Sequence, residues 1–193
     1  MKQLIIIPCC SRKISGGIEI NQELTFFENP NKVPELIERR NERINLIHPN
    51  IQEELLPAWQ RYDGQIYRRL KEHQPLINTL IADEKLHIII ISALYGVINI
   101  NTPIINYNLE MGALGGVNFW SHNNILSNAI NEYCIQNDIE NVYTFLRPTT
   151  YYNALIGLRE HIQIWHYGLR GVNNINNHLA DLIINRINQI SDL

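Results

Sequence analysis

Two carboxylates in this chain stand where chemistry could be done. Asp63 lies in Tyr62-Asp63-Gly64-Gln65-Ile66-Tyr67-Arg68-Arg69, and Glu110 in Tyr107-Asn108-Leu109-Glu110-Met111-Gly112. At helical spacing Asp63 shares a face with Tyr67, and a carboxylate beside a phenol can orient water or stabilise a cation. Asp63 is also suited to cap a helix that begins at Gly64. Glu110 stands among apolar and small residues, which fits either a catalytic carboxylate or one paired with Arg147 or Arg170. Tyr95, in Ser92-Ala93-Leu94-Tyr95-Gly96, and Tyr107 offer faces on which a base stacks. The same rings serve equally as core packing with a hydrogen-bonded hydroxyl.

A third group is Pro8-Cys9-Cys10-Ser11-Arg12-Lys13. Its backbone amides, hydroxyl and two cations suit a phosphate or a polarised carbonyl. Adjacent cysteines do not readily act as two separate ligands, and Cys134 falls on a predicted helix, so no metal set is expected. One of the pair is expected in the core and the other in the loop. Arg147-Pro148-Thr149-Thr150-Tyr151-Tyr152 can add a cation and hydroxyls to the same rim. Arg68, Arg69 and Lys71 read as a solvated face, or as a phosphate-binding edge if the neighbouring pocket takes nucleic acid. Lone histidines such as His122 and His166 read as structural. No Ser-His-Asp spacing, GxGxxG or GxxxxGK loop, or HExxH motif occurs.

These residues must be positioned by strands and helices. Residues 4–8 and 87–92 are continuous apolar runs, the latter with four isoleucines, as buried parallel strands require. Residues 141–146 and 162–167 give two further strands. Helices are predicted over 34–47 (apolar face Leu36, Ile37, Ile44 and Ile47) and from near Glu53 past Pro57, resuming over 62–72. Others are predicted over 76–82, 119–135, 151–160 and 173–190. The alternation predicts an α/β fold: a three-layer arrangement with a mostly parallel central sheet of about four strands and helices on both faces. The whole chain, 1–193, reads as a single domain with a helical elaboration over about 33–82. Sites in such folds gather beyond the carboxyl ends of strands, here residues 8–13, 92–96, 146–150 and 167–170.

Composition narrows the function classes. The net charge of −3 and pI near 6.2 argue against gripping nucleic acid by bulk charge. Three cysteines without framework spacing, and no signal-like or bilayer-length apolar run, predict a cytoplasmic protein with no membrane partner.

Taken in order, these blocks resemble the YaaA family, bacterial proteins linked to peroxide stress and DNA binding. The start, LIIIPCCSRKI, is similar to that family's strand and Ser-Pro-Ala-Lys-type loop, with Lys13 matching its lysine. Tyr62 to Tyr67 resembles the aromatic-x-Gly-Asp-Val-Tyr block. Ser92-Ala93-Leu94-Tyr95-Gly96 and Tyr107 to Gly112 resemble Ser-Gly-Leu-Tyr-Gly and Tyr-Arg-Leu-Glu-Met, and Phe119-Trp120 matches a Phe-Trp pair. Gln65 replaces the family's acidic residue, Asn108 its arginine, and the basic C-terminal segment is reduced to Arg170. Those departures favour a pocket for modified bases over general DNA binding. A looser similarity links the first loop and the Leu-Tyr-Gly segment to uracil-DNA-glycosylase-like domains.

The leading expectation is a DNA N-glycosylase that excises a modified or damaged base, in antiviral defence or DNA repair. Asp63 or Glu110 would serve the oxocarbenium-like sugar. Cys10, Ser11, Lys13, Tyr67, Ser92, Tyr95, Tyr107, Trp120 and Arg147 would bind substrate, and Arg12, Arg68, Arg69 and Arg170 the DNA backbone. The expected partner is DNA carrying a modified base, with no cofactor, metal or obligatory protein partner. The alternatives are a non-catalytic DNA-binding protein of the oxidative stress response and a nucleoside- or nucleotide-processing enzyme.

Overall fold

The apolar run at residues 4–7 has no polar position to offer solvent, so it requires cover on both faces. In a computed structural model, which describes residues 1–17, 25–47, 54–146, 150–158, 163–166 and 175–192, these four residues are fully buried. They belong to β1 (Lys2–Pro8). The chain continues through α1 (Pro34–Ile47), β2 (Leu56–Pro57), α2 (Ala58–Arg61), α3 (Gln65–Glu72) and α4 (Gln74–Ala82). Then come β3 (Leu86–Ser92), β4 (Gly96–Asn99), β5 (Pro103–Ile104), α5 (Gly116–Ser121) and α6 (Ile125–Gln136). Last are β6 (Ile139–Thr144), α7 (Tyr151–Ala154), β7 (Gln163–His166) and α8 (Ile175–Ser191).

The main sheet has the order β4-β3-β1-β6-β7. The four predicted strands, β1, β3, β6 and β7, pair in parallel, with Ile6 opposite Ile89 on one side and Thr144 on the other. The chain leaves β1 toward β3 and later crosses back to β6. Right-handed crossovers in opposite directions place their helices on opposite faces. Accordingly α3 and α4 of the first connection pack together, and α8 joins them, while α6 of the second packs with α5; α1, although it precedes α3, also packs with α6. This is the expected α/β architecture, with a switch in strand order at β1.

Several local expectations differ. The predicted helix from Glu53 is instead a two-residue antiparallel pair of β2 with β5 followed by one helical turn; Glu53 itself lies outside the described residues. Proline lacks the N–H a helix interior needs, and Tyr62 is extended, forming a bridge to Lys13. The predicted helix over 119–135 breaks at Asn123 and Asn124, both at positive φ, a conformation that asparagine tolerates. Within the predicted helix over 151–160, the helical part is the single turn α7, and residues 159 and 160 lie outside the described residues. Finally, the chain turns after Ser92 and returns as antiparallel β4, a strand absent from the four predicted ones.

The buried face of α1 carries Arg40 and Arg43 beside Leu36. Arg40 donates to the carbonyls of Tyr95 and Val97, both at 2.9 Å, and burial lowers its pKa to about 10. Arg43 donates to the carbonyls of Ala113 and Leu114. A guanidinium has enough donors to serve several carbonyls at once. Helix α1 thereby fixes the segment that leads from Glu110 into α5. Among the described residues, no helix is long and apolar enough to cross a membrane.

Candidate functional site

Open α/β sheets bind ligands beyond the carboxyl ends of the strands, where the strand order switches. A cleft of about 380 Å³ occupies that position here, within the ~300–1,000 Å³ range of small-molecule sites. Its lining comes from residues 8–11 after β1, residues 64–67 at the start of α3, residues 109–112, Thr150 and Tyr151 at α7, and Asn176 on α8. Glu110 is the one charged side chain of this lining among the described residues, and it is exposed there. The same lining includes a thiol, a hydroxyl and two amides, from Cys10, Ser11, Gln65 and Asn176.

The wall around Cys10 is locked from behind. Gly64 caps α3 without a side chain, and a Cβ there would come within 3.0 Å of the Cys10 Cβ. The Ile14 N–H bonds the Arg61 carbonyl at 2.9 Å, and the Asp63 N–H bonds the Arg12 carbonyl at 3.0 Å. Lys13 Nζ donates to the Cys10 carbonyl at 2.9 Å and lies 3.9 Å from the centre of the Tyr107 ring. Burial pulls the Lys13 pKa below its usual value and pushes the Cys10 thiol up. Cys10 is therefore held as a protonated thiol lining the cleft, while Cys9 is buried in the core, as the expected split requires.

Beneath this wall runs a buried chain of hydroxyls. Tyr62 and Tyr107 meet oxygen to oxygen at 2.6 Å, and Tyr107 meets Ser92 Oγ at 2.8 Å. Ser92 Oγ in turn accepts from the Tyr95 N–H at 3.0 Å. Tyr95 accepts from the Ile105 N–H, and Tyr67 donates to the Pro8 carbonyl at 2.8 Å. Burial raises the pKa of Tyr62, Tyr67 and Tyr107 well above the usual phenol value. These phenols are neutral supports.

The structure thus separates the sequence-selected residues into groups. Cys10, Ser11, Tyr67 and Glu110 share the cleft. Lys13, Ser92, Tyr95, Tyr107 and Trp120 are not on its lining; Trp120 is fully buried and donates to the Ala93 carbonyl at 3.0 Å. Asp63 is neither the α3 cap nor a cleft residue. Its carboxylate takes two hydrogen bonds from Arg68, at 2.7 and 3.1 Å, and an ion pair from Arg12 at 3.1 Å. Those contacts, the Arg68 hydrogen bond foremost, hold its carboxyl below the ordinary range. Asp63, Arg12 and Arg68 therefore form a charged cluster beside Gly64, at the edge of the cleft. Arg69 instead pairs with Glu72 and Asp181. Arg147 and Arg170 lie outside the described residues.

Sequence reasoning missed Gln65, Thr150, Tyr151 and Asn176 as cleft residues. Gln65 was visible only as a replacement within a motif, and Thr150 and Tyr151 only as part of a polar rim. Asn176 gave no signal, because its place depends on α8 returning to pack on α3.

A family model described as Peroxide stress protein YaaA matches residues 20–164. The match takes in the segments of Tyr62, Tyr95, Tyr107 and Glu110 but begins after the β1 loop. Among curated proteins, nothing matches the chain.

Proposed function

The chain belongs to the peroxide stress protein YaaA family, and on that premise we propose that it is a DNA N-glycosylase acting on a modified or damaged base. The observation that supports this most is Glu110, an exposed carboxylate that shares the lining of the switch-point cleft with neutral donors. Hydrolysing an N-glycosidic bond builds positive charge on the sugar and negative charge on the departing base. Glu110 meets the first need, by stabilising the oxocarbenium-like sugar or taking a proton from the attacking water. The Ser11 hydroxyl and the Gln65 amide meet the second, as donors to the leaving base. A lining that is neutral apart from Glu110 suits an uncharged ring, which reaches such a pocket only when swung out of the duplex. Arg12 and Arg68, which flank Asp63 at the edge, offer cations to the flanking phosphates.

The test is to incubate the protein with DNAs carrying different base modifications and to measure free base and alkali-labile sites. Base release from one of them is expected, and Glu110→Gln should lower it by about 100-fold or more while leaving DNA retention intact. Undiminished release by Glu110→Gln would remove the carboxylate from the mechanism. Salt-sensitive binding to plain duplex with no base released would favour a non-catalytic DNA-binding protein of the oxidative stress response. Turnover of free nucleosides without retention on DNA would favour a nucleoside-processing enzyme.

A further inference from the structure

We infer that the protein stops at the abasic site, leaving the sugar–phosphate strand whole for a separate lyase or hydrolase to cut. The inference rests on the glycosylase reading, and it follows from where the chain keeps its amines.

Cutting the strand by imine-assisted elimination needs a free amine at the sugar. Base hydrolysis adds water to C1′, breaks the C1′–N bond, and sends the base away to take up a proton. The sugar left behind equilibrates between hemiacetal and aldehyde. An amine adding to that aldehyde loses water to give an imine. The imine acidifies the C2′ proton, whose removal expels the 3′ phosphate, and water then frees the amine. Without an amine within reach of C1′, the sequence ends at the aldehyde.

The chain has five lysines, Lys2, Lys13, Lys32, Lys71 and Lys85, and all fall within the described residues. None lines the cleft. Lys2 is ion-paired with Glu84 at 2.8 Å at the amino end of β1, and Lys85 immediately precedes β3, so both lie at the opposite end of the sheet. The amino group of Met1 pairs with Glu140 at that same end. Lys32 precedes α1, beside a separate groove lined by Pro34, Ile125 and Glu132. Lys71 donates to the carbonyls of Gln60 and Tyr62, both at 3.1 Å.

Lys13 is the strongest rival, because burial lowers its pKa and so raises the share of free amine. Access decides against it. Its Nζ is committed to the carbonyls of Cys10 at 2.9 Å and Ser11 at 3.4 Å and rests against Tyr107. The amine is spent in shaping the backbone of the cleft-lining loop. Attack would require unmaking the wall that holds the sugar.

The experiment uses DNA with a preformed abasic site, so it does not depend on naming the modified base. The whole protein is mixed with this DNA and borohydride, which reduces an imine to a permanent cross-link. A parallel sample without borohydride is scored for strand breaks before alkali treatment. The second protein is Gln65→Lys, which sets an amine on the exposed first turn of α3, inside the cleft; circular dichroism checks its folding. The expected result is an intact strand and no cross-link for the unaltered protein, with a cross-link for Gln65→Lys. A cross-link or strand scission by the unaltered protein overturns the inference. So does failure of the folded Gln65→Lys protein to cross-link, since the abasic sugar would then not sit against this wall. The base-release assay reads the glycosylase proposal separately, and either can fail alone.

Discussion

At the residue scale, the tyrosines illustrate what a side chain's type leaves open. Tyr95 and Tyr107 were legible as aromatic rings near strand ends, suited either to stacking on a base or to packing with a satisfied hydroxyl. Sequence gives no depth, and depth chooses between those roles. Tyr107 is buried, and its hydroxyl joins Tyr62 to Ser92 at 2.6 and 2.8 Å. Tyr107→Phe would leave both partners buried with one bond fewer. Such a deletion costs about 1–3 kcal/mol, to be read as a lower denaturation midpoint at unchanged slope. Base release per folded molecule should stay within about twofold of the unaltered protein, because that hydroxyl does not line the cleft. Full stability with lost activity would instead place the phenol among the reacting groups.

At the element scale, the hairpin of β3 and β4 governs the cleft-side loops. Gly96 opens β4 at φ +74°, and a Cβ there would stand 2.8 Å from the Trp120 ring. Left-handed backbone costs an L-residue roughly 1–2 kcal/mol, and overfilling a packed core typically adds about 1–3 kcal/mol. Gly96→Ala should therefore destabilise the protein by roughly 2–5 kcal/mol in chemical denaturation; a loss under about 0.5 kcal/mol would mean that Trp120 yields easily. This hairpin also marks where sequence reading ran out. The isoleucine runs of β1 and β3 were legible because only a doubly covered strand tolerates them. Strand β4 was not, since four residues straight after a turn show too little alternation. Helix α1 was legible in extent, but its buried arginines were not, because the carbonyls they serve come from residues 55 to 71 positions away. The cleft shows the same division. Glu110, Ser11 and Cys10 stood out within motifs at strand ends, whereas Asn176 required knowing how α8 returns.

At the scale of the whole molecule, proton uptake links stability to pH, and His87 is where that link can be traced. His87 enters β3 beneath α6, with Nδ1 2.7 Å from the Tyr133 hydroxyl. Its Nε2 is buried without a hydrogen-bond partner. Burial lowers its pKa below the ordinary 6.5; nearby Lys2 acts in the same direction, and Glu84 opposes them weakly. The unfolded chain therefore takes up this proton first as pH falls. His87 contributes its stability fully above about pH 6.5, loses it as pH falls through that value, and loses no more once the folded form protonates too. The slope from one proton is at most about 1.4 kcal/mol per pH unit. His87→Phe should flatten the fall in denaturation free energy below pH 6.5, the other histidines being common to both proteins. The comparison is of slopes, so the separate cost of depriving Tyr133 of its partner drops out. Parallel pH profiles for the two proteins would mean that water reaches Nε2 and that the imidazole is solvated in place.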